Sequence, residues 1–308
     1  MKKTTSYLVT GGNGFIGCAL VEKLNGDICI VTRHKIPKKF LQKNTIRRLI
    51  KSVEQLTKHD LNGVDIIYHC ASTVDNYHIL TDPMLDIDTN IKETIHLLEL
   101  CKKLQKKPKI LFLSTFFVYG NLYQKYKKPL NENSPTDPLS LYSASKLCAE
   151  NIISLYGRLY KIPYVIARLT NIYGPGDRAT DRKGVLNYFA KRAAEGKDLN
   201  IYGGGKFKRD YLYIDDLVDA LFILEKKGNN ELFLVGSGKS TNFKEAIRSI
   251  HKLSGSTSKI VSIPVPEFHK VVGVFDFVGD FKKINNLGFR SKTDLNVGFK
   301  KLIDGMRK

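Results

Sequence analysis

Tyr142 and Lys146 stand four residues apart in Tyr142-Ser143-Ala144-Ser145-Lys146. On a helix such residues share a face, so the lysine ammonium can approach the tyrosine phenol. A fixed cation there favours the phenolate and lowers its pKa toward working pH, giving a usable general acid or base. Alone the pair is a common structural pattern. Thr115, at the carboxyl end of a predicted strand, adds a hydroxyl able to hydrogen-bond the same reacting oxygen, since ligands of open α/β sheets bind at those strand ends. A second constellation is Thr10-Gly11-Gly12-Asn13-Gly14-Phe15-Ile16-Gly17, where a strand gives way to a helix. Glycines at this spacing permit a tight turn and the close approach of a pyrophosphate, which the helix N-terminus would bind through free N–H groups. The next strand ends in Thr32-Arg33, with no carboxylate for a ribose 2′-hydroxyl. A small residue followed by arginine welcomes a 2′-phosphate and favours NADP(H), with NAD as the alternative.

These groups need a scaffold that brings strand ends together. Strands are predicted at 6–10, 28–32, 65–70, 110–114 and 164–168, and helices at 14–24, 89–103 and 142–160. Ile91, Ile95, Leu98 and Cys101 form one stripe of the middle helix. This alternation predicts an α/β fold, a Rossmann-like doubly wound parallel sheet covered on both faces. After Asn171 the rhythm breaks, with Gly174-Pro175-Gly176 and Gly203-Gly204-Gly205. A smaller C-terminal α/β substrate domain is expected over about 171–210 and 239–308, and a dinucleotide-binding domain over 1–170 plus about 211–238.

The 308 residues carry 50 Lys and Arg against 30 Asp and Glu, a net charge of +20. That field attracts polyanions. The lysines are spread along the chain, as in Lys35-Ile36-Pro37-Lys38-Lys39, with no basic block interleaved with aromatics, so a solvated surface is expected rather than a nucleic-acid face. No apolar run reaches the ~18–20 residues of a membrane span, and the N-terminus has no secretion-signal pattern. The five cysteines stand at no metal-ligand spacing, which argues against a zinc module or disulfide framework and for a cytoplasmic location.

Together these residues make the chain resemble the extended short-chain dehydrogenases/reductases of the NAD-dependent epimerase/dehydratase group, over nearly its whole length. The matching pieces, in family order, are Thr10 to Gly17, His69-Cys70-Ala71-Ser72, Asn90, Ser114 to Gly120, Tyr142 to Lys146, Arg168 to Gly176 and Arg209 to Asp216. The resemblance implies an enzyme whose substrates are nucleotide-diphosphate sugars, with Thr115, Tyr142 and Lys146 as its catalytic triad. It implies cofactor contacts from Gly11, Asn13, Gly14, Phe15, Ile16, Gly17, Arg33, Ala71, Ser72, Asn90, Tyr142 and Lys146, with Asp60 and Leu61 at the adenine. Asn171 and Arg209 fall where the family holds the substrate's diphosphate. Thr73, Phe116, Phe117 and Tyr202 are expected to line the sugar pocket. No metal and no membrane partner is implied; a homodimer through the two long helices is.

Departures narrow the chemistry. Sugar 4,6-dehydratases of this family carry Asp-Glu directly after the catalytic threonine; here Phe116 and Phe117 cannot move protons, which argues against dehydration and decarboxylation. Phe277 stands where a second phosphate-binding arginine is expected, leaving Arg209 with Lys282 or Lys283 as helpers. Glu93 replaces a glycine common three residues after the family asparagine, and is read as a surface difference. The reaction expected first is reduction of a 4-keto nucleotide sugar by NADPH. The alternative is 4-epimerisation with tightly held NAD, and a remote one is a non-enzymatic, nucleic-acid-binding or redox-sensing role.

Overall fold

The computed structural model describes residues 4–33, 40, 46–74, 76–177, 180 and 184–306; the basic stretch from Lys35 to Lys39 lies outside them. Seven parallel strands form the central sheet: β1 (Ser6–Thr10), β2 (Asp27–Thr32), β3 (Ile46–Ile50), β4 (Ile66–His69), β5 (Lys109–Thr115), β6 (Tyr164–Leu169) and β10 (Glu231–Val235). Their spatial order is β10-β6-β5-β4-β1-β2-β3. The first crossover runs from β1 to β2 on one side and the chain then returns to place β4 on the other. The carboxyl ends of β1 and β4 therefore flank the point where connections diverge, the place where this architecture opens a crevice.

Alternate strand residues point to opposite faces. Tyr7 and Val9 join one buried apolar cluster and Leu8 joins the other, so both faces of the sheet are covered. That doubly wound arrangement is the one read from the sequence. Strand β3 was not. Its Ile46-Arg47-Arg48-Leu49-Ile50 places two arginines mid-strand, because it is an edge strand whose Ile50 is largely exposed. Helix α1 (Phe15–Lys23) follows the glycine-rich turn. A helical run over 84–102, here α2, starts earlier than its periodicity suggested and contains a π-helical stretch at Ile87–Lys92. Such stretches displace side chains from the regular helical face. Helix α3 (Leu141–Tyr160) begins with a capping box in which Ser140 and Ser143 each accept the other's backbone N–H, fixing the turn that carries Tyr142.

Beyond β6, β7 (Asn171–Tyr173) and β11 (Ser240–Asn242) flank β9 (Lys208–Tyr213), and β8 (Leu199–Tyr202) pairs with β12 (Ile260–Ile263). Between these pieces the chain returns to the main sheet as β10, which pairs with β6. No helix among the described residues is long and apolar enough to cross a membrane.

Candidate active site

Thr115 is the last residue of β5, and its Oγ1 accepts the Phe117 N–H at 3.2 Å, capping the short turn Phe116–Tyr119. The same hydroxyl is directed at the Tyr142 phenol. Burial pushes that phenol up to about 12; Thr115 pulls it down and the Asp86 carboxylate pushes it further up. The sequence-based expectation of a lowered tyrosine pKa is thus reversed in the protein by itself, because desolvation of the phenolate outweighs the hydrogen bond. Lys146 lies one turn further along α3, 1% exposed, with Nζ 3.9 Å from the centre of the Phe112 ring. Burial brings its ammonium down to about 7, against the favourable fields of Glu150 and Cys70. No hydrogen bond from the described residues reaches that nitrogen, leaving its donors for a ligand.

Glu150 is the next residue on this face, four beyond Lys146. It accepts Arg168 Nη2 at 2.7 Å and Nε at 3.1 Å, and also the Ser114 hydroxyl. Arg168 and Glu150 are 5% and 3% exposed, a buried ion pair one turn along α3 from Lys146. Its signal was present in the spacing: Glu150 repeats the four-residue step from Tyr142 to Lys146.

At the switch point a buried imidazole joins two strand ends. His69 Nδ1 lies 2.7 Å from Thr10 Oγ1 and Nε2 lies 3.0 Å from Thr94 Oγ1. Burial and the nearby Lys146 ammonium hold His69 down at about 3, so it is neutral. Thr10 Oγ1 also accepts the Ala71 N–H at 3.1 Å. Next to it, Asn90 Oδ1 accepts from Ser72 Oγ at 2.8 Å and Thr73 N at 3.2 Å. Its Nδ2 donates to Thr73 Oγ1 at 2.8 Å and Ser145 Oγ at 2.9 Å. Asn90, read as a cofactor contact, here spends both amide hydrogens on bracing the turn after β4 against α3. Asp86, which the sequence reading missed, accepts the Thr73 hydroxyl and has a second carboxylate oxygen buried without a partner.

The glycine turn fits a dinucleotide pyrophosphate. Gly11 has φ +65°, and a Cβ there would sit 2.9 Å from the Ala71 backbone. A Cβ on Gly17 would approach Gly11 O to 2.3 Å. At Gly14, the N-cap, a Cβ would meet only Gly11 O, at 3.1 Å, and would project from the start of a helix that has no side-chain cap and no acid in its first turn. Free N–H groups at a helix start suit an anion. Asn13, Phe15 and Ile16 are half-buried around it. On the adenosine side, Arg33 is exposed at the end of β2. The Asp60 carboxylate is engaged by Thr57 N at 2.8 Å, Thr57 Oγ1 at 2.9 Å and Lys51 Nζ at 2.6 Å, and Leu61 is fully buried.

The substrate side differs from expectation in three respects. Phe116 is 1% exposed and packs against Phe277 at 4.7 Å between ring centres, so it belongs to the core; Phe117 is the half-buried ring, edge-on to Tyr142 at 6.4 Å. Phe277, at the position where the resemblance implied a second arginine, packs its ring against Phe116 and Tyr119. Lys283 is held by Leu232 O and Glu231, and Lys282 reaches Asp280, so neither supports Arg209. Arg209 lies between the rings of Phe116 and Phe207 and donates to Phe275 O, and no carboxylate of the described residues forms an ion pair with it. Burial lowers it to about 10, a cost that an anionic ligand would offset. Asn171 Nδ2 donates to Asp210 O at 3.1 Å, and the Tyr202 ring lies tilted against His269 with ring centres 5.1 Å apart. Thr73 is buried in the Asn90 network.

Sheet order and the Tyr142–Lys146 face together put the chain among the short-chain dehydrogenases/reductases. Within that class it belongs to the NAD dependent epimerase/dehydratase family, whose model matches residues 7–236. A putative UDP-glucose 4-epimerase of Methanocaldococcus jannaschii is 31% identical over 97% of this chain and 98% of its own length. A UDP-N-acetyl-alpha-D-glucosaminuronate decarboxylase of Bacillus cytotoxicus is 33% identical over 86% of this chain and 84% of its own. The crystal structure of a UDP-glucose 4-epimerase from Thermotoga maritima with UDP-glucose superposes with a TM-score of 0.89 and 28% identity, covering 98% of this chain and 99% of that one.

Proposed function

We propose that this chain is an NAD-dependent 4-epimerase of a nucleotide-diphosphate sugar. The observation that carries the reading is the convergence of Thr115, Tyr142 and Lys146 at the carboxyl end of β5, with two phenylalanines where proton-moving carboxylates would serve dehydration. NAD, when bound, would supply the acceptor for a hydride from the sugar carbon. Gly11, Gly14, Gly17 and the first-turn N–H groups of α1 would hold its pyrophosphate, and Lys146 its nicotinamide ribose. Tyr142 takes the proton from the sugar C4 hydroxyl and later returns it, and Thr115 orients that oxygen. Lys146, as the ammonium, stabilises the phenolate. Arg209, with Asn171 nearby, anchors the diphosphate, while the apolar edge of Phe117 grips the sugar weakly enough to let it present either face.

Interconversion of UDP-glucose and UDP-galactose without added reductant, followed by chromatography, tests this. If the enzyme instead consumes NADPH with a nucleotide 4-keto-6-deoxy sugar and interconverts nothing, the reductase reading, which the exposed Arg33 favours, replaces it. A homodimer is proposed on the outer face of α3, where Leu155 and Leu159 are 44% and 60% exposed; sedimentation checks it. A cytoplasmic location is proposed because all five cysteines are free.

A further inference from the structure

Asp210, 1% exposed, stands at the junction of three chain segments. One carboxylate oxygen accepts the Thr170 hydroxyl at 2.9 Å and the Ser237 N–H at 2.7 Å. The other accepts the Ser237 hydroxyl at 2.9 Å and the Gly238 N–H at 2.8 Å. Its backbone carbonyl accepts the Asn171 side-chain amide at 3.1 Å. Thr170 follows β6 and Ser237 follows β10, two strands paired in the main sheet, and the Thr170 N–H donates to Val235 O at 3.0 Å. The turn after β10 sits close on the carboxylate, since a Cβ on Gly236 would lie 2.6 Å from it. Asp210 thus ties β9 of the smaller sheet to two strand ends of the main one. Along β9 its side chain and that of Arg209 point to opposite faces.

We infer that Asp210 is the positioning residue of the diphosphate site: it holds Arg209 and Asn171 in place against the main sheet and touches no ligand itself. The inference deepens the proposed function and rests on its nucleotide-sugar reading. Two observations carry it. Asp210 adjoins Arg209 in the chain and is bonded to Asn171, the two residues assigned to the diphosphate, and all four bonds of its carboxylate go to segments of the main sheet. Each oxygen also faces a backbone N–H, from Ser237 on one side and from Gly238 on the other. An asparagine would offer only one acceptor oxygen. The two hydroxyls can turn to accept from its amide, but a backbone N–H cannot, so one would be stranded and the turn at 236–238 would shift against β9.

The chain has no tryptophan, so titration calorimetry with UDP and with NAD, well below the melting temperature, is the measurement. Asp210→Asn is expected to weaken UDP binding about tenfold, the scale of one impaired charge-assisted hydrogen bond. NAD affinity and turnover at saturating nucleotide sugar should each change by less than about threefold, so that KM rises while kcat holds. In an Arg209→Ala background the same substitution should cost UDP no more than a further factor of about three, because the group through which it acts is gone. Thr170→Val, which removes one donor and keeps the shape, should weaken UDP alone, by about threefold, and decides the matter if Asp210→Asn does not fold. Wild-type UDP affinity in a folded Asp210→Asn or Thr170→Val protein overturns the assignment. So do equal losses of UDP and NAD, or a full tenfold loss without Arg209, since either makes Asp210 a general support of the fold. A wild type that binds NAD but not UDP overturns the nucleotide-sugar reading and this inference with it, a result distinct from a variant that leaves UDP binding unchanged.

Discussion

Replacing Glu150 by glutamine tests the buried ion pair next to the proposed catalytic face. The substitution keeps the shape and removes one charge from a pair in which Arg168 and Glu150 are 5% and 3% exposed. Arg168 loses charge-assisted bonds at 2.7 and 3.1 Å, and one of its nitrogens, Nη1, is already buried without a partner. Stranding a buried charge costs about 3–5 kcal/mol. At about 2.1 cal/mol/K per residue, unfolding 308 residues carries an entropy near 0.65 kcal/mol/K, so Tm should fall by about 5–8 °C. Pairing Glu150→Leu with Arg168→Met removes both charges and should recover most of that loss, because apolar replacement of a buried pair is nearly neutral. Glutamine at position 150 also removes the field that favours the Lys146 ammonium. Turnover should therefore decline at a lower pH than in the wild type. Calorimetric melting of Glu150→Gln and of the double variant, with a pH–rate profile of Glu150→Gln, provides the readout. A Glu150→Gln protein that melts with the wild type, or a double variant no more stable than Glu150→Gln, would refute the reasoning.

Three further outcomes are expected. Tyr142→Phe should lower turnover by about three orders of magnitude while dinucleotide affinity changes by less than about threefold, since it removes the proton carrier and little packing; equal losses in both would make Tyr142 a binding residue. Gly14→Ala should keep its melting temperature but lose dinucleotide binding, whereas Gly17→Ala, whose Cβ would lie 2.3 Å from Gly11 O, should lose both; calorimetry of both variants with and without cofactor distinguishes them. His69 takes up a proton readily when unfolded and only near pH 3 when folded. The unfolded state therefore binds more protons as pH falls from about 6.5 toward 3, and stability should drop by about 1.4 kcal/mol per pH unit on that account. Urea unfolding of His69→Gln should show that part of the acid slope removed; an unchanged slope contradicts the assignment.

The strand–turn–helix glycines, the strand ends and the Tyr142–Lys146 spacing were legible because each is local: a period, a turn or an i, i+4 step. What stayed hidden depends on contacts between distant segments. Phe116 and Phe117 are adjacent identical residues, yet one enters the core against Phe277 and the other faces Tyr142, a difference set by the turn after Thr115. Lys282 and Lys283 look available in sequence and are committed to Asp280 and Glu231 in space. Glu93 reads as a solvated charge because the packing that leaves it 7% exposed involves segments distant in the chain. The tyrosine pKa failed for a related reason: proximity to a lysine is visible in spacing, but desolvation is not.

Asn90 has a consequence for how substrate fit is communicated. Its one side chain is bonded both to Ser72 and Thr73 and to Ser145, which immediately precedes Lys146. A ligand that displaces the loop at 72–73 would therefore strain hydrogen bonds that also tie Asn90 to the helix carrying Lys146. On the proposed reading, a sugar that displaces this loop would lower rate as well as affinity, because the same amide braces the turn of α3 that carries Lys146.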